Sequence, residues 1–335
     1  MKEFDLKKWN GEVFLAYTRQ VADPVKTSLI EAGVFYEDSE IALAFPRQVG
    51  GNYAVRPITG LLSGDAIDLD GATNIDDGEL NTYSQGIVAI HMGKSFTEKD
   101  FTFNVTGKDF MVQVAEQLEH YWSKQKQKKM LSILKGIFAT ALAGSVIEKS
   151  AVASTDIIDA VRGIGGDNAE YFRVVFMHSV VAKELEKTEK LTYALYNDAN
   201  GMQRQSNIAY WNGRLVIVND QVPVTAGTGA DEGKNIYRTY ILGERAFGYC
   251  ELPELVPNAM ARDEKKNGGE TSLVSRRGMV LAPEGISFKA SALSGTNKVT
   301  NALLETGSSW EVVHDGHGHA VDKKNIPFCA IDYTL

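Results

Sequence analysis

One uninterrupted helical pattern constrains this chain more than any other feature. It runs from about residue 108 to 142, inside TGKDFMVQVAEQLEHYWSKQKQKKMLSILKGIFATALAG. Thr106 and Asp109 supply capping chemistry. Met111, Val114, Leu118 and Tyr121/Trp122 form one apolar stripe, and Leu131, Leu134 and Phe138 form a second. More than ~30 residues at ~1.5 Å each extend roughly 45 to 50 Å, beyond the usual length in a compact domain, so the helix acts as a spine for other elements. Its middle, SKQKQKK, carries Lys124, Lys126, Lys128 and Lys129 and no apolar residue. That turn is expected to face solvent or polar partners, with a solvated face favoured over a nucleic-acid patch.

Before the helix the chain is polar and glycine-rich. Residues 1 to about 43 hold short amphipathic pieces without heptads, which predicts an arm and not a coiled coil. In QVGGNYAVRPITGLLSGDAIDLDGATNIDDGELNTYSQGIVAIHMG, strand-like runs at 53–58 and 87–92 flank an acidic centre, the pattern of a long hairpin. Its apolar residues are too few for a private core, and an isolated hairpin is marginal in water, so it must lie on the body or on a neighbouring copy.

After about residue 150 the pattern becomes α/β-like. STDIIDAVRGIGGDN reads as a helix with a glycine stop, YFRVVFMHS as a buried strand and SVVAKELEKTEKL as a second helix that Ser179 would cap. IAYWNGRLVIVND predicts a hairpin about Asn212-Gly213. NIYRTYILGERAFGY, MVLAPEGISFKAS, SSWEVVHD and NIPFCAIDYTL return to strand patterning, and ARDEKKNGGE reads as a polar loop.

Composition excludes several classes. Lys plus Arg number 35 against 43 Asp plus Glu, a net −8 that argues against a duplex-coating protein. Cys250 and Cys329 match no ligand spacing and read as ordinary half-buried thiols. No apolar run reaches the ~20 residues of a bilayer span, and the N-terminus lacks an export signal, so neither membrane insertion nor export is expected and the sequon Asn104-Val105-Thr106 carries no weight.

The chemical motifs resolve into turns. HDGHGH, residues 314–319, offers His314, His317 and His319 to a metal, but it joins two strand patterns through two glycines and has no HExxH-type spacing, so a polar turn is favoured. DLDGATNIDDGE places Asp68, Asp70, Asp76 and Glu79 like a calcium loop, yet Ala72 and a misplaced glycine break the match. GIGG at 163–166 and GTGADEG at 227–233 lack the strand and helix context of a phosphate cradle. His178 and Ser179 sit in no nucleophile elbow. No catalytic residue and no cofactor are expected.

The order of arm, long hairpin, spine helix, α/β lobe and closing strands resembles the tailed-phage major capsid proteins of the Hong Kong 97 type. Locally the resemblance lies in YWSKQKQKKMLSILKGIF, VVFMHSVVAKEL, the hairpin ending in VIVNDQVPV, and RDEKKNGGETSLVSRRGMVLAPEGISF, and it covers most of residues 85–335. It implies an α+β fold with an N-terminal arm (1–43), an extended β-hairpin loop (44–104), a peripheral domain with the spine helix (105–150 and 265–335) and an α/β axial domain (151–264). It implies no enzyme, but copies that gather as pentamers and hexamers into an icosahedral shell around double-stranded DNA, in the virion and, during assembly, the host cytoplasm. Partners implied are further copies, a separate scaffolding protein, a portal and DNA held without sequence readout. Lys124, Lys126, Lys128, Lys129, Arg262, Asp263, Arg276 and Arg277 are then candidate assembly contacts, with structural polar pairing as the alternative. Two other readings are an encapsulin-like nanocompartment shell and, from another class, a metal-dependent enzyme built on the histidines.

Overall fold

A computed structural model describes residues 34–47, 51–62, 66, 68, 80–102, 110–197, 203–293, 298–315 and 318–335. Residues 1–33 of the arm, the sequon, Thr106 and Asp109, His317 and, apart from the exposed Asp68, the calcium-like positions lie outside the described residues.

The spine is α2, Phe110–Ala139. From Lys129 to Leu134, and again from Gly136 to Phe138, it is buried on every side. Its residues Ile133, Leu134, Ile137 and Phe138 share one core with side chains of both large sheets. A helix covered all round over these turns belongs inside a protein, and its polar Lys129 and Ser132 find partners in Val299 and Glu305. Gly136 marks where a neighbour comes closest: a Cβ there would lie 2.0 Å from the Leu304 carbonyl oxygen and 2.7 Å from Trp310 Nε1. Only glycine lets the short helix α5, Asn301–Glu305, meet the spine at that distance.

The eight-stranded sheet runs β4 (Val146–Lys149), β16 (Phe328–Thr334), β10 (Asn235–Gly243), β5 (Phe172–Met177), β8 (Arg214–Val218), β7 (Gln203–Trp211) and β6 (Thr192–Asn197), with β9 (Val224–Ala226) added to β10. Strand β5 shows why FRVVFM carries no polar alternation in its second half. Val174 and Phe176 join the core of the spine, while Val175 and Met177 join a second core under α3 (Asp156–Gly165) and α4 (Ser179–Lys187). A strand covered on both faces reads as continuously apolar. The turn between β7 and β8 uses Asn212 and Gly213 at φ 49° and 77°, as the Asn-Gly signal predicts.

In the six-stranded sheet β13 (Glu270–Pro283) is central. One edge carries β11 (Phe247–Leu252) and β12 (Asn258–Asp263), the other β3 (Leu80–Lys99), and among the described residues β2 (Tyr53–Leu62) pairs only with β3. Strand β1, Phe35–Glu37, lies parallel to β11 and leads into α1, Ser39–Arg47, which runs through residue 43. A small two-stranded sheet, β14 (Ile286–Phe288) with β15 (Trp310–Val312), completes the body.

Three sequence expectations are corrected. Helix α4 is capped by His178, not Ser179: β5 ends at Met177, His178 keeps extended backbone, and its ring nitrogen accepts the Val180 N–H at 3.2 Å. Ser179 is already the first helical residue, and its N–H donates to Asp220 at 3.2 Å. The polar loop ARDEKKNGGE is shorter than its sequence suggests: Ala261, Arg262 and Asp263 close β12, Glu270 opens β13, and residues 264–269 form the turn between them. Polar residues extend those strands because this part of the ribbon is open to water, so apolar alternation is not required. Cys329 is fully buried on β16 rather than half-buried, which pushes its thiol pKa up; Cys250 is intermediate.

Candidate functional site at the hairpin root

The strands β2 and β3 form the hairpin predicted from the two runs at 53–58 and 87–92. Strand β3 changes partner at one step: Val88 faces Tyr53 of β2, and the next residue, Ala89, faces Val280 of β13. The hairpin is therefore an extension of the body sheet carried by β3. Burial changes nearby, since Thr82 and Ser84 are exposed while every residue from Gln85 to Ile90 is buried. Beyond this root the outer end exposes Leu62 (79%) and its cross-strand partner Leu80.

The inward face of the root begins apolar. Ala54 and its partner Ile87 join Ile41 of α1 and Val280 in a small third core. Two residues further out on the same face the pair is Arg56 and Gln85, both buried. The Arg56 guanidinium donates to Asp38 at 2.5 Å, to Gln85 at 2.7 Å and to Glu284 at 3.3 Å. Tyr36 donates to the same Glu284 oxygen at 3.0 Å, and Arg245 lies 4.5 Å from the centre of the Tyr36 ring. Gln85 in turn donates to the carbonyls of Pro283 and Ile286 at 2.7 and 2.8 Å, and Ser287 accepts the Gly86 N–H at 2.9 Å.

Burial works against the Arg56 charge, but Tyr36, Glu284 and Asp38 around it prevail and its pKa rises. Burial raises that of Tyr36. Gly86 is sterically required, because a Cβ would stand 2.3 Å from the Phe288 carbonyl oxygen and the Tyr53 hydroxyl. Sequence reasoning missed this cluster. The signal was parity: Arg56 and Gln85 fall on the inward positions defined by Ala54, Ile87 and Ala89.

The lysine turn of α2 is not the solvated face expected from SKQKQKK. Gln127 and Lys129 are buried, Lys124 and Lys126 intermediate, and Lys128 exposed. Lys129 donates to the Val299 carbonyl at 3.1 Å, and Gln127 donates to Gln221 at 3.0 Å. Lys126 lies over two aromatic rings, 3.1 Å from the centre of Tyr249 and 4.8 Å from that of Phe35. Long aliphatic stems let a run of lysines cover apolar surface, so absence of an apolar residue did not mean exposure. Desolvation pulls the Lys126 pKa down to about 8, opposed by Glu251 and Glu37. Desolvation also lowers that of Lys129.

The other charged candidates have partners within the chain. Arg262 forks onto Asp100 at 2.6 Å and Glu264 at 2.5 Å, and Asp263 accepts the N–H groups of Lys265 and Lys266. Arg276 donates to the Val256 carbonyl at 3.0 Å, and Arg277 pairs with Glu119 of the spine. Beside them the segment between β11 and β12 holds Leu255 at 99% exposure, with Val256 and Met260 also exposed. That segment is braced from both sides, by the Arg276 bond to Val256 and by His91 against Glu254 at 2.7 Å.

The histidine turn folds on Asp315. Its carboxylate, nearly inaccessible, accepts the His319 N–H at 2.7 Å and meets His319 Nδ1 at 3.1 Å, while the backbone bridges His314 to Ala320. Asp315 also bridges to Tyr83 of the hairpin. Among the described residues no group of three or more His, Cys, Asp or Glu could hold a metal ion. Among them, too, no helix is long and apolar enough to cross a membrane.

No family model matches this sequence. It is 25% identical over 297 residues to the major capsid protein of Bacillus phage SPP1, across 86% of this chain and 87% of that protein. Among solved structures it superposes on the head structure of Helicobacter pylori bacteriophage KHP40 with a TM-score of 0.59, 12% identity and 100% and 98% of the two chains covered. The capsid of Ralstonia phage GP4 gives 0.58, at 11% identity over 98% and 94%.

Proposed function

We propose that this chain, which has the Hong Kong 97-type α+β fold of the tailed-phage major capsid proteins, is itself a major capsid protein that builds a closed shell from many copies. The observation that carries this reading is the likeness to phage capsids over nearly the whole chain, including the segment that projects from the body. A projecting hairpin with exposed Leu62 and Leu80 gains stability when laid on another copy, where each buried apolar side chain contributes roughly 1.5 to 3 kcal/mol. Head-to-tail contacts of that kind close into rings when the rotation between copies allows it.

In this reading residues 1–43 are the arm, 44–104 the extended loop, 105–150 with 265–335 the peripheral domain, and 151–264 the axial domain at five-fold and six-fold centres. The shell encloses double-stranded DNA without base readout, which a net charge of −8 permits because packing needs few tight phosphate contacts. A separate scaffolding protein and a portal complete the assembly in the host cytoplasm. Lys124, Lys128, Arg262 and Asp263 supply the polar edges of the inter-copy contacts, while Lys126, Lys129, Arg276 and Arg277 hold the surfaces in shape through their internal partners.

Electron microscopy of the protein, expressed with and without a candidate scaffolding protein, tests the proposal. Closed shells, or rings of five and six, are expected; monomers under both conditions would sink it.

A further inference from the structure

We propose that the Arg56 cluster is an electrostatic latch that sets the angle of the β2–β3 hairpin, and that neutralising Asp38 and Glu284 frees the hairpin about the Val88–Ala89 step without unfolding the body. Its significance for assembly rests on the shell reading above, since the hairpin angle fixes how a second copy is met.

Three observations carry it. First, among the described residues the hairpin continues into the body sheet through one strand, β3, because β2 pairs with β3 and with no strand of the body. A ribbon joined through one strand bends easily unless something beside the joint holds it. Second, the cluster stands beside that joint and ties the hairpin to separate parts of the body. Asp38 lies between β1 and α1, and Glu284 lies in the turn between β13 and β14, where Tyr36 also reaches it. Arg245, in the turn between β10 and β11, lies over Tyr36 and holds a left-handed φ of 58°, uncommon for a residue with a side chain.

Third, the chemistry favours two states over gradual yielding. Arg56 is buried and permanently charged, and its Nε makes no hydrogen bond among the described residues, so its Nη groups carry the compensation. Removing the opposing carboxylates leaves a buried charge without counter-charge, and the hairpin can relieve it by lifting the guanidinium into water. The body then keeps the spine core, which shares no side chain with the cluster and takes Val88 and the partly buried Tyr53 from the hairpin root.

Hydrogen–deuterium exchange on the full-length chain before assembly tests the latch. In D38N/E284Q, amides of 53–62 and 80–88 should exchange about tenfold faster than in the unaltered chain, while 130–138 of the spine stay within about twofold. Adding R56M removes the stranded charge, so the triple variant should regain thermal stability while its hairpin still exchanges fast. This variant carries the test if the double one fails to fold. Unchanged hairpin exchange in the triple variant, or equal acceleration of hairpin and spine, would overturn the proposal. Because the readout is taken on unassembled chains, it is independent of whether shells form.

Discussion

Lys126 of the spine helix holds its Nζ 3.1 Å from the centre of the Tyr249 ring, which joins α2 to β11 in the middle of a turn that looks solvated on paper. The ring face attracts the charge, a contact worth about 0.5 to 2 kcal/mol, while desolvation opposes it. The folded pKa of about 8 lies below the 10.5 of a free lysine. Below pH 8 both states are protonated and the fold carries the full desolvation cost. Between 8 and 10.5 the unfolded chain binds more proton than the folded one, so this residue makes stability rise with pH. K126M should remove that rise. The urea midpoint difference between variant and unaltered chain, measured at pH 7.5 and 9.5, should shift in favour of the unaltered chain at the higher pH; a pH-independent difference would refute the assignment.

Two glycines separate steric need from helix propensity. Gly136 faces the Leu304 carbonyl at 2.0 Å from an added Cβ, whereas Gly163 on α3 has nothing within 4 Å. G136A gains ~1 kcal/mol of propensity but must push α5 away and weaken the Trp310 bond to Leu304, now 2.8 Å. Overpacking at ~1 to 3 kcal/mol plus a lost hydrogen bond at ~0.5 to 1.5 leaves a net loss of about 0.5 to 3.5 kcal/mol. G163A should stabilise by up to ~1 kcal/mol. Denaturant titration of both variants reads the opposite signs directly.

Much of the fold was legible because its signals are local. The spine pattern, the apolar run of β5 and the Asn212-Gly213 turn each need only neighbours in sequence, and each stands where those residues place it. The interior polar groups were not legible in this way. Tyr36 and Glu284 lie 248 positions apart, and Arg56 and Glu284 lie 228 apart, so nothing near either residue announces the other. Lysines 126 and 129 misled for a related reason: composition reports a charged tip, while burial is decided by the stem and by what the fold lays over it.

At the histidine turn the buried group is Asp315, not an imidazole, and His319 is mostly exposed. Replacing His314, His317 and His319 with asparagine should change stability by less than ~0.5 kcal/mol and leave assembly intact. D315A removes the acceptor of the His319 N–H from a site closed to water and should cost about 1 to 3 kcal/mol. Thermal unfolding compares the two, and a larger loss from the histidines than from D315A would reverse the roles assigned here.

Leu255 tests the surface rather than the fold. A lone exposed leucine is unremarkable on a protein surface, but this one is held out by a braced segment, with Val256 and Met260 exposed nearby. A rigid apolar projection loses little conformational freedom on burial, which is how a contact of small area gains strength. L255S should therefore leave the unfolding midpoint of the isolated chain unchanged. If the leucine is covered by a neighbouring copy, its loss removes roughly 1.5 to 3 kcal/mol per contact, which raises the concentration at which shells form by about tenfold or more. Light scattering against subunit concentration measures this threshold. An unaltered threshold would mean that Leu255 faces water in the assembled shell and that the hairpin end, with Leu62 and Leu80, must account for the apolar contact instead.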